Sequence, residues 1–358
     1  MLNKIKFFLK RYWIFIVLAA VASGLLLVRL NQRGQPVPEA QPTPTPQLNL
    51  SLLKITGAVV PLNTKVIFQE FSFPTRLKTY RAEKNELTSD QASRIAQELR
   101  FSGSAQRSED VFLGTFYTWS TKTNYLSIAL KAIELDYGVD LTQMTTPKQG
   151  NLPSPQVAIN TLEDLLNKFE LKPEFELKWQ KEAYLSKGYY LQPTQPEQAD
   201  FISVGANPTI GQHQLVGLDP TSPLISLILN KNKEVVRFQY QVYFSSFEGQ
   251  ETYNLKTKKE VESALLSEGR IVYFGTYQES VKAPKITQAE FNQITLAYYQ
   301  EPEKNLVIQP IYILSGQGTL ENGETTEIIA YLPAIKFGTQ TQENIEVPRE
   351  FFQLPELP

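Results

Sequence analysis

Residues 12–28 read YWIFIVLAAVASGLLLV, without one charged side chain. Extended to Leu30, the run approaches the ~20 residues that a helix needs to cross a bilayer. Backbone groups in lipid must bond within their own segment, so a lone span of this kind is a helix. Lys4, Lys6, Lys10 and Arg11 precede it and favour a cytoplasmic N-terminus. Tyr12 and Trp13 stand where aromatic rings favour the interface. Arg29 and Arg33 follow, so the charge bias is incomplete. Ala20-Val21-Ala22 also fits the A-x-A pattern of signal-peptide cleavage, but residues 25–28 carry the apolar core beyond it, whereas cleavage follows the core. The expectation is an uncleaved single-pass anchor over 12–30, with a cytoplasmic N-terminus over 1–11. Ala20 and Gly24 give it a small-x-x-x-small face on which a second helix can pack closely.

The next stretch cannot prolong that helix. Residues 31–49 contain Pro36, Pro38, Pro42, Pro44 and Pro46. Proline lacks the N–H and restricts its predecessor. The segment reads as an extended stalk reaching at most about 60 Å at ~3.1 Å per residue. Of the 35 basic and 37 acidic residues, six basic and one acidic fall in the first 49, leaving 29 basic and 36 acidic in the rest. An acidic region without a basic run binds nucleic acid poorly. The chain beyond the stalk therefore reads as extracytoplasmic, bound to the membrane through its anchor.

Several chemistries are excluded by what the chain lacks. There is no cysteine, hence no disulfide, thiolate nucleophile or Cys-ligated metal. One histidine, His213, rules out a multi-histidine metal site within one chain. Walker, nucleophile-elbow, zincin and EF-hand motifs are missing. Ser51-Leu52-Leu53-Lys54 matches S-x-x-K, but without the K-T-G partner it reads as coincidence. His213 lies between turn residues; as a general base it would need a serine and a carboxylate, with Asp200 and Asp219 the nearest candidates in sequence. Gly316-Gln317-Gly318 reads as a wide hairpin connection rather than a phosphate loop. Glu321, Glu324 and Glu327 lack the dense oxygen spacing of a calcium loop. No catalytic residue, cofactor or metal site is assigned. Trp179, Tyr184, Tyr189 and Tyr190 cluster near Pro193. They can anchor a protein interface or stack on a sugar, or they can pair across strands over a core.

Hydrophobic patterning gives an α+β reading of tandem units, each an antiparallel sheet covered by helices. Thr88 and Gln91 form a capping box ahead of Ala92, Ile95, Ala96 and Leu99, an apolar face at helical spacing. Ser154 with Pro155 opens a second helix. Thr257/Glu260 and Thr287/Glu290 are two further capping boxes. Residues 111–119 and 125–130 read as a hairpin. In 235–244, Val236, Phe238, Tyr240, Val242 and Phe244 alternate with Arg237, Gln239 and Gln241, the clearest strand. Pro310 inside another strand suggests an edge or a bulge. The expected division is a first unit over 50–145, a second region over 150–336 ending in three strands, and a tail over 337–358.

Two segments pairs carry a resemblance. LTSDQASRIAQEL with YTWSTKTNYLSIAL, and NLVIQPIYILSGQG with EIIAYLPAIK, resemble the PepSY-like modules of the YycH/YycI class of membrane-anchored regulators. The resemblance runs from about residue 87 to 336. It implies one N-terminal span, an extracytoplasmic domain and restraint of a cell-envelope sensor kinase. The function expected is a non-enzymatic regulator or adaptor. A structural or glycan- or peptide-binding envelope component is the alternative, and a carboxylate-dependent hydrolase the third class.

Overall fold

The structure is a computed structural model that describes residues 53, 55–68, 71–110, 113–144, 150–188, 191–275, 285–300 and 307–336. The expected anchor with Ala20 and Gly24, the stalk and the tail lie outside these residues. Among the described residues no helix is long and apolar enough to cross a membrane.

Three helices form where capping signals stand. Helix α1 (Ser89–Glu98) has Thr88 as N-cap, and the reciprocal box with Gln91 is made. Helix α2 (Pro155–Lys168) is capped by Ser154 with proline in its first turn. Helix α3 (Lys258–Glu268) carries the Thr257/Glu260 box. Thr287 starts no helix, although its box looks the same in sequence. It lies in a strand, β17 (Ile286–Tyr299), hydrogen-bonded on both sides. Pairing on two flanks outweighs a local capping preference.

The first sheet is antiparallel. Its order is β4 (Gln106–Asp110), β5 (Gly114–Ser120), β6 (Asn124–Ala129), β7 (Glu134–Val139), β14 (Val235–Tyr240), β13 (Ile225–Asn230) and β11 (Phe201–Ile210). Beyond β11 lie β8 (Leu177–Trp179) and β9 (Ala183–Lys187), and β10 (Leu191–Pro193) pairs with β9. The second sheet runs β17, β18 (Val307–Leu320), β19 (Thr325–Pro333), β16 (Arg270–Phe274) and β1 (Ala58–Val59). On the free flank of β17, β2 (Thr64–Val66) and β12 (His213–Val216) pair in parallel, so the sheet is mixed. A two-stranded ribbon, β3 (Arg76–Lys84) with β15 (Phe244–Asn254), joins β18 at Val307 and Ile308.

This overturns the expected tandem units. Strands β3 and β7, from the segment before residue 145, pair with β15, β18 and β14 from after residue 150. Strand β12 links the sheets by pairing with β11 and with β17. The result is one mixed sheet network of nineteen strands with three helices among the described residues. Periodicity shows which residues face a core but not which distant strand supplies the partner, and here the partners cross the expected boundary. Pro310 is likewise neither on an edge strand nor at a bulge. It falls where β18 exchanges β3 for β19 as second neighbour, between Ile308 and Ile311, so its missing N–H interrupts neither ladder.

Helices α1 and α2 cover one face of the first sheet. Ala92, Ile95 and Ala96 of α1 and Ala158, Leu162 and Leu166 of α2 meet Leu126, Ile128, Leu135 and Phe238 in the main core. Four fully buried tyrosines pin the layers. Tyr298 donates to Lys78 O at 2.8 Å, Tyr312 to Lys256 O at 2.9 Å and Tyr331 to Gly217 O at 2.9 Å, while Tyr240 accepts from Asn85 Nδ2 at 3.3 Å. Burial raises all four hydroxyl pKa values, so the phenols stay neutral.

Candidate functional site

An open, shallow concavity lies at one end of the β3–β15 ribbon. It is a groove of about 850 Å³ between the end of β3 with its following turn (81–86) and the start of β15 (245–248). A β-bulge makes it. Pairing runs from Phe244↔Lys84 to Ser246↔Glu83, which leaves Ser245 outside the ladder and bends the strand. The Ser246 hydroxyl donates to Glu83 Oε2 at 3.0 Å, and Ser245 Oγ donates to Glu83 O at 3.4 Å. Asn85 fixes the turn through its N–H to Tyr243 O at 2.9 Å.

Phe247 is the aromatic residue of the groove lining, and its ring is held from behind by residues outside the groove. Phe247 lies opposite buried Ala82, stacks on Phe175 at 4.5 Å and meets Tyr80 edge-on at 5.2 Å. The rim carries Arg81, Glu83, Lys84, Glu86 and Glu248, charges of both signs. Beyond the groove, β15 pairs with β3 along one flank, and no strand lies along its other flank among the described residues. Such an edge exposes backbone donors and acceptors in a row, which suits an extended polypeptide. A second bulge between Gly249 and Thr252 limits the regular stretch to Ser246–Gly249, beside the groove.

Little in the groove suits covalent chemistry. Ser246 leans on a carboxylate, whereas an acyl-transfer serine takes an imidazole. The single histidine of the chain is elsewhere. His213 begins β12, with its ring edge-on to Tyr298 at 6.1 Å, and burial lowers its pKa. Asp200, one of its sequence neighbours, accepts from Lys187 N at 3.0 Å and lies 3.7 Å from Lys231 Nζ. Asp219 accepts from Thr221 and Ser222 of its own turn.

The aromatic candidates have a different setting. Trp179 pairs with Ala206 and Tyr184 with Ile202, on two strands flanking β11. Both side chains are half-buried and pack against the main core, and neither lines the groove. Tyr189 and Tyr190 lie outside the described residues. Gly316 and Gly318 lie within β18 rather than in a connection. Glu321 bonds Lys285 at 2.5 Å, and Glu324 accepts from Asn322 at 2.8 Å. Among the described residues no three acidic or imidazole groups are placed to hold a metal ion.

Sequence reasoning missed Asn85, Ser245 and Ser246. The hint was Ser245-Ser246 directly after an alternating run, where a pair of small polar residues ends the apolar face.

No family model matches the chain, and no curated protein matches it. Among solved structures it is similar to an uncharacterized protein from Eubacterium rectale ATCC 33656, with a TM-score of 0.45 and 12% identity, over 80% of this chain and 94% of that one.

Proposed function

We propose that the chain is a non-enzymatic adaptor, held at a membrane by its N-terminal apolar run, whose extracytoplasmic part grips an extended segment of a membrane or envelope protein. The groove at the β3–β15 bulge is the observation that carries this reading. It offers a short regular strand edge, one aromatic ring at Phe247 and charges of both signs, the elements of peptide recognition by strand addition. Residues 12–30 support a single-pass anchor with the bulk of the chain outside the cytoplasm. The resemblance to YycH/YycI-like proteins favours a sensor kinase as partner.

Tethering makes a weak groove sufficient. Confinement near the membrane supplies an effective concentration up to about the millimolar range, so a contact of modest intrinsic affinity is occupied. The Ala20/Gly24 face can add a helix–helix contact in the bilayer.

The test is Ser246→Trp, which fills the groove from a half-buried strand position that lines it. Full-length wild-type and variant proteins are purified from native membranes by affinity capture. The reading expects one membrane protein at near-stoichiometric yield with the wild type and at least tenfold less with the variant, at equal circular dichroism. Equal recovery with both removes the groove from the function.

A further inference from the structure

The first sheet has a second face, turned away from α1 and α2. On it stand Ser127 of β6, Glu134 and Asp136 of β7, and Arg237 and Gln239 of β14. Tyr125 stands near the start of β6, opposite Gly138, and is 38% exposed. A Cβ on Gly138 would lie 2.4 Å from Tyr125 Cε1 and 2.5 Å from Cζ, so the ring occupies the space directly above the glycine backbone. A side chain at this position would have to displace the tyrosine ring that lies across it. The Tyr125 hydroxyl donates to Asp136 Oδ2 at 3.2 Å, and Arg237 Nε donates to Asp136 Oδ1 at 3.4 Å. Gln239 is the cross-strand neighbour of Asp136. Farther along, Gln241 donates to Glu134 Oε1 at 3.4 Å, and Tyr243 donates to Glu134 Oε2 at 3.5 Å.

This row combines one accessible aromatic ring with five planar hydrogen-bonding groups: a guanidinium, two carboxylates and two primary amides. The hydrogen bonds among them are long, so they hold the groups in place while leaving lone pairs and N–H groups for a ligand. Burial holds the Glu134 carboxyl above its usual range, with Gln241 opposing the shift, and raises the Tyr125 hydroxyl. Arg237 balances Asp136, so the centre of the face favours neither polycation nor polyanion. The excess of 36 acidic over 29 basic residues after residue 49 also disfavours anionic polymers.

Planar groups in pairs match vicinal hydroxyls, and an aromatic ring matches the C–H face of a pyranose, the mix of apolar and oriented polar surface found in small-molecule sites. A sheet face suits an extended chain rather than an enclosed monosaccharide. The geometry points to this face as a binding site for a neutral, extended hexopyranose oligosaccharide, centred on Tyr125, Asp136 and Arg237. It is separate from the protein groove, and the adaptor would thereby also contact a surface or wall glycan.

The test uses the full chain in lipid nanodiscs, without sugar-based detergent, and titrates chitohexaose and cellohexaose by saturation-transfer NMR. At least one hexasaccharide should bind saturably. Tyr125→Ala and Asp136→Asn should each weaken it at least tenfold, and Tyr125→Phe, which keeps the ring, by less. Ser246→Trp should leave it unchanged, which separates this site from the groove. Should Tyr125→Ala lose its folded circular dichroism, Asp136→Asn and Tyr125→Phe decide alone. Absence of saturable binding to both sugars, or a change under threefold in folded Asp136→Asn, overturns the proposal.

Discussion

Lys256 is 6% exposed, and its ammonium is bonded three times. Nζ donates to Pro333 O at 2.8 Å, to Ile335 O at 2.9 Å and to Glu268 Oε2 at 2.9 Å. All three donors of a lysine are therefore used. The bonds tie the end of β19 to the C-terminal turn of α3, and the Lys256 carbonyl accepts from buried Tyr312 at 2.9 Å. Lys256→Met keeps the stem and removes the charge. Two buried carbonyls then lose a donor, and Glu268, whose side chain is 26% exposed, must be rehydrated. Breaking a buried ion pair by deleting one partner costs about 3–5 kcal/mol. For a domain of this size that is a fall in Tm of about 6–10 °C. The assay is thermal unfolding of the full chain in nanodiscs, followed by tryptophan fluorescence. Glu268→Gln, whose amide oxygen can still accept from the ammonium, should cost less. A Lys256→Met protein within about 1 kcal/mol of wild type would refute the argument that this lysine locks α3 to the sheet.

Glu260 at the start of α3 has its pKa lowered to about 2, first by the Lys336 ammonium, then by the Thr257 N–H and hydroxyl. A depressed carboxyl contributes stability that is complete above its ordinary value of 4.5 and is lost as pH falls toward about 2. Acid titration should therefore lower Tm over that window, and Glu260→Gln should flatten the slope there. Gly316→Ala would put a Cβ 1.9 Å from the Glu290 carbonyl oxygen, a backbone atom that cannot swing aside. Its cost should reach the upper part of about 1–3 kcal/mol, whereas Gly249→Ala, which meets the Lys78 side chain at 3.7 Å, should be near neutral in the same denaturant titration.

What the sequence carried was local. Caps at Thr88, Ser154 and Thr257 name their helices because a cap is satisfied by the residues that follow it. The strand expected over 235–244 was legible as far as Tyr240, where its faces alternate cleanly; it breaks there, and Phe244 opens β15 instead, while its polar residues Arg237 and Gln239 lie on the second face of the first sheet. Strand β3 was not legible. Its sequence RLKTYRAEK is mostly polar, and it is a strand because β15 and β18, far along the chain, hydrogen-bond to it. Strand β11 was also missed, although Phe201, Ile202, Val204 and Ala206 are buried, because its Gly, Asn and Pro read as loop punctuation. Gly205 is there so that Pro223 can lie against the backbone, where a Cβ would come within 2.3 Å of the proline ring. The groove depends on a bulge in a long-range pair, so neither Ser245 nor Glu83 announces it alone.

The central claim is that an extended segment of a membrane or envelope protein lies in the groove beside Ser246–Gly249. A photo-crosslinking side chain placed at Ser245 in the full-length protein, irradiated in native membranes, tests it directly, with exposed Ser263 of α3 as the control position. The account predicts one crosslinked membrane or envelope protein from Ser245 and none from Ser263. The attachment should map by mass spectrometry to a short extracytoplasmic stretch able to form a strand. Crosslinks from both positions alike, or none from Ser245 while the protein is folded in the membrane, would contradict it.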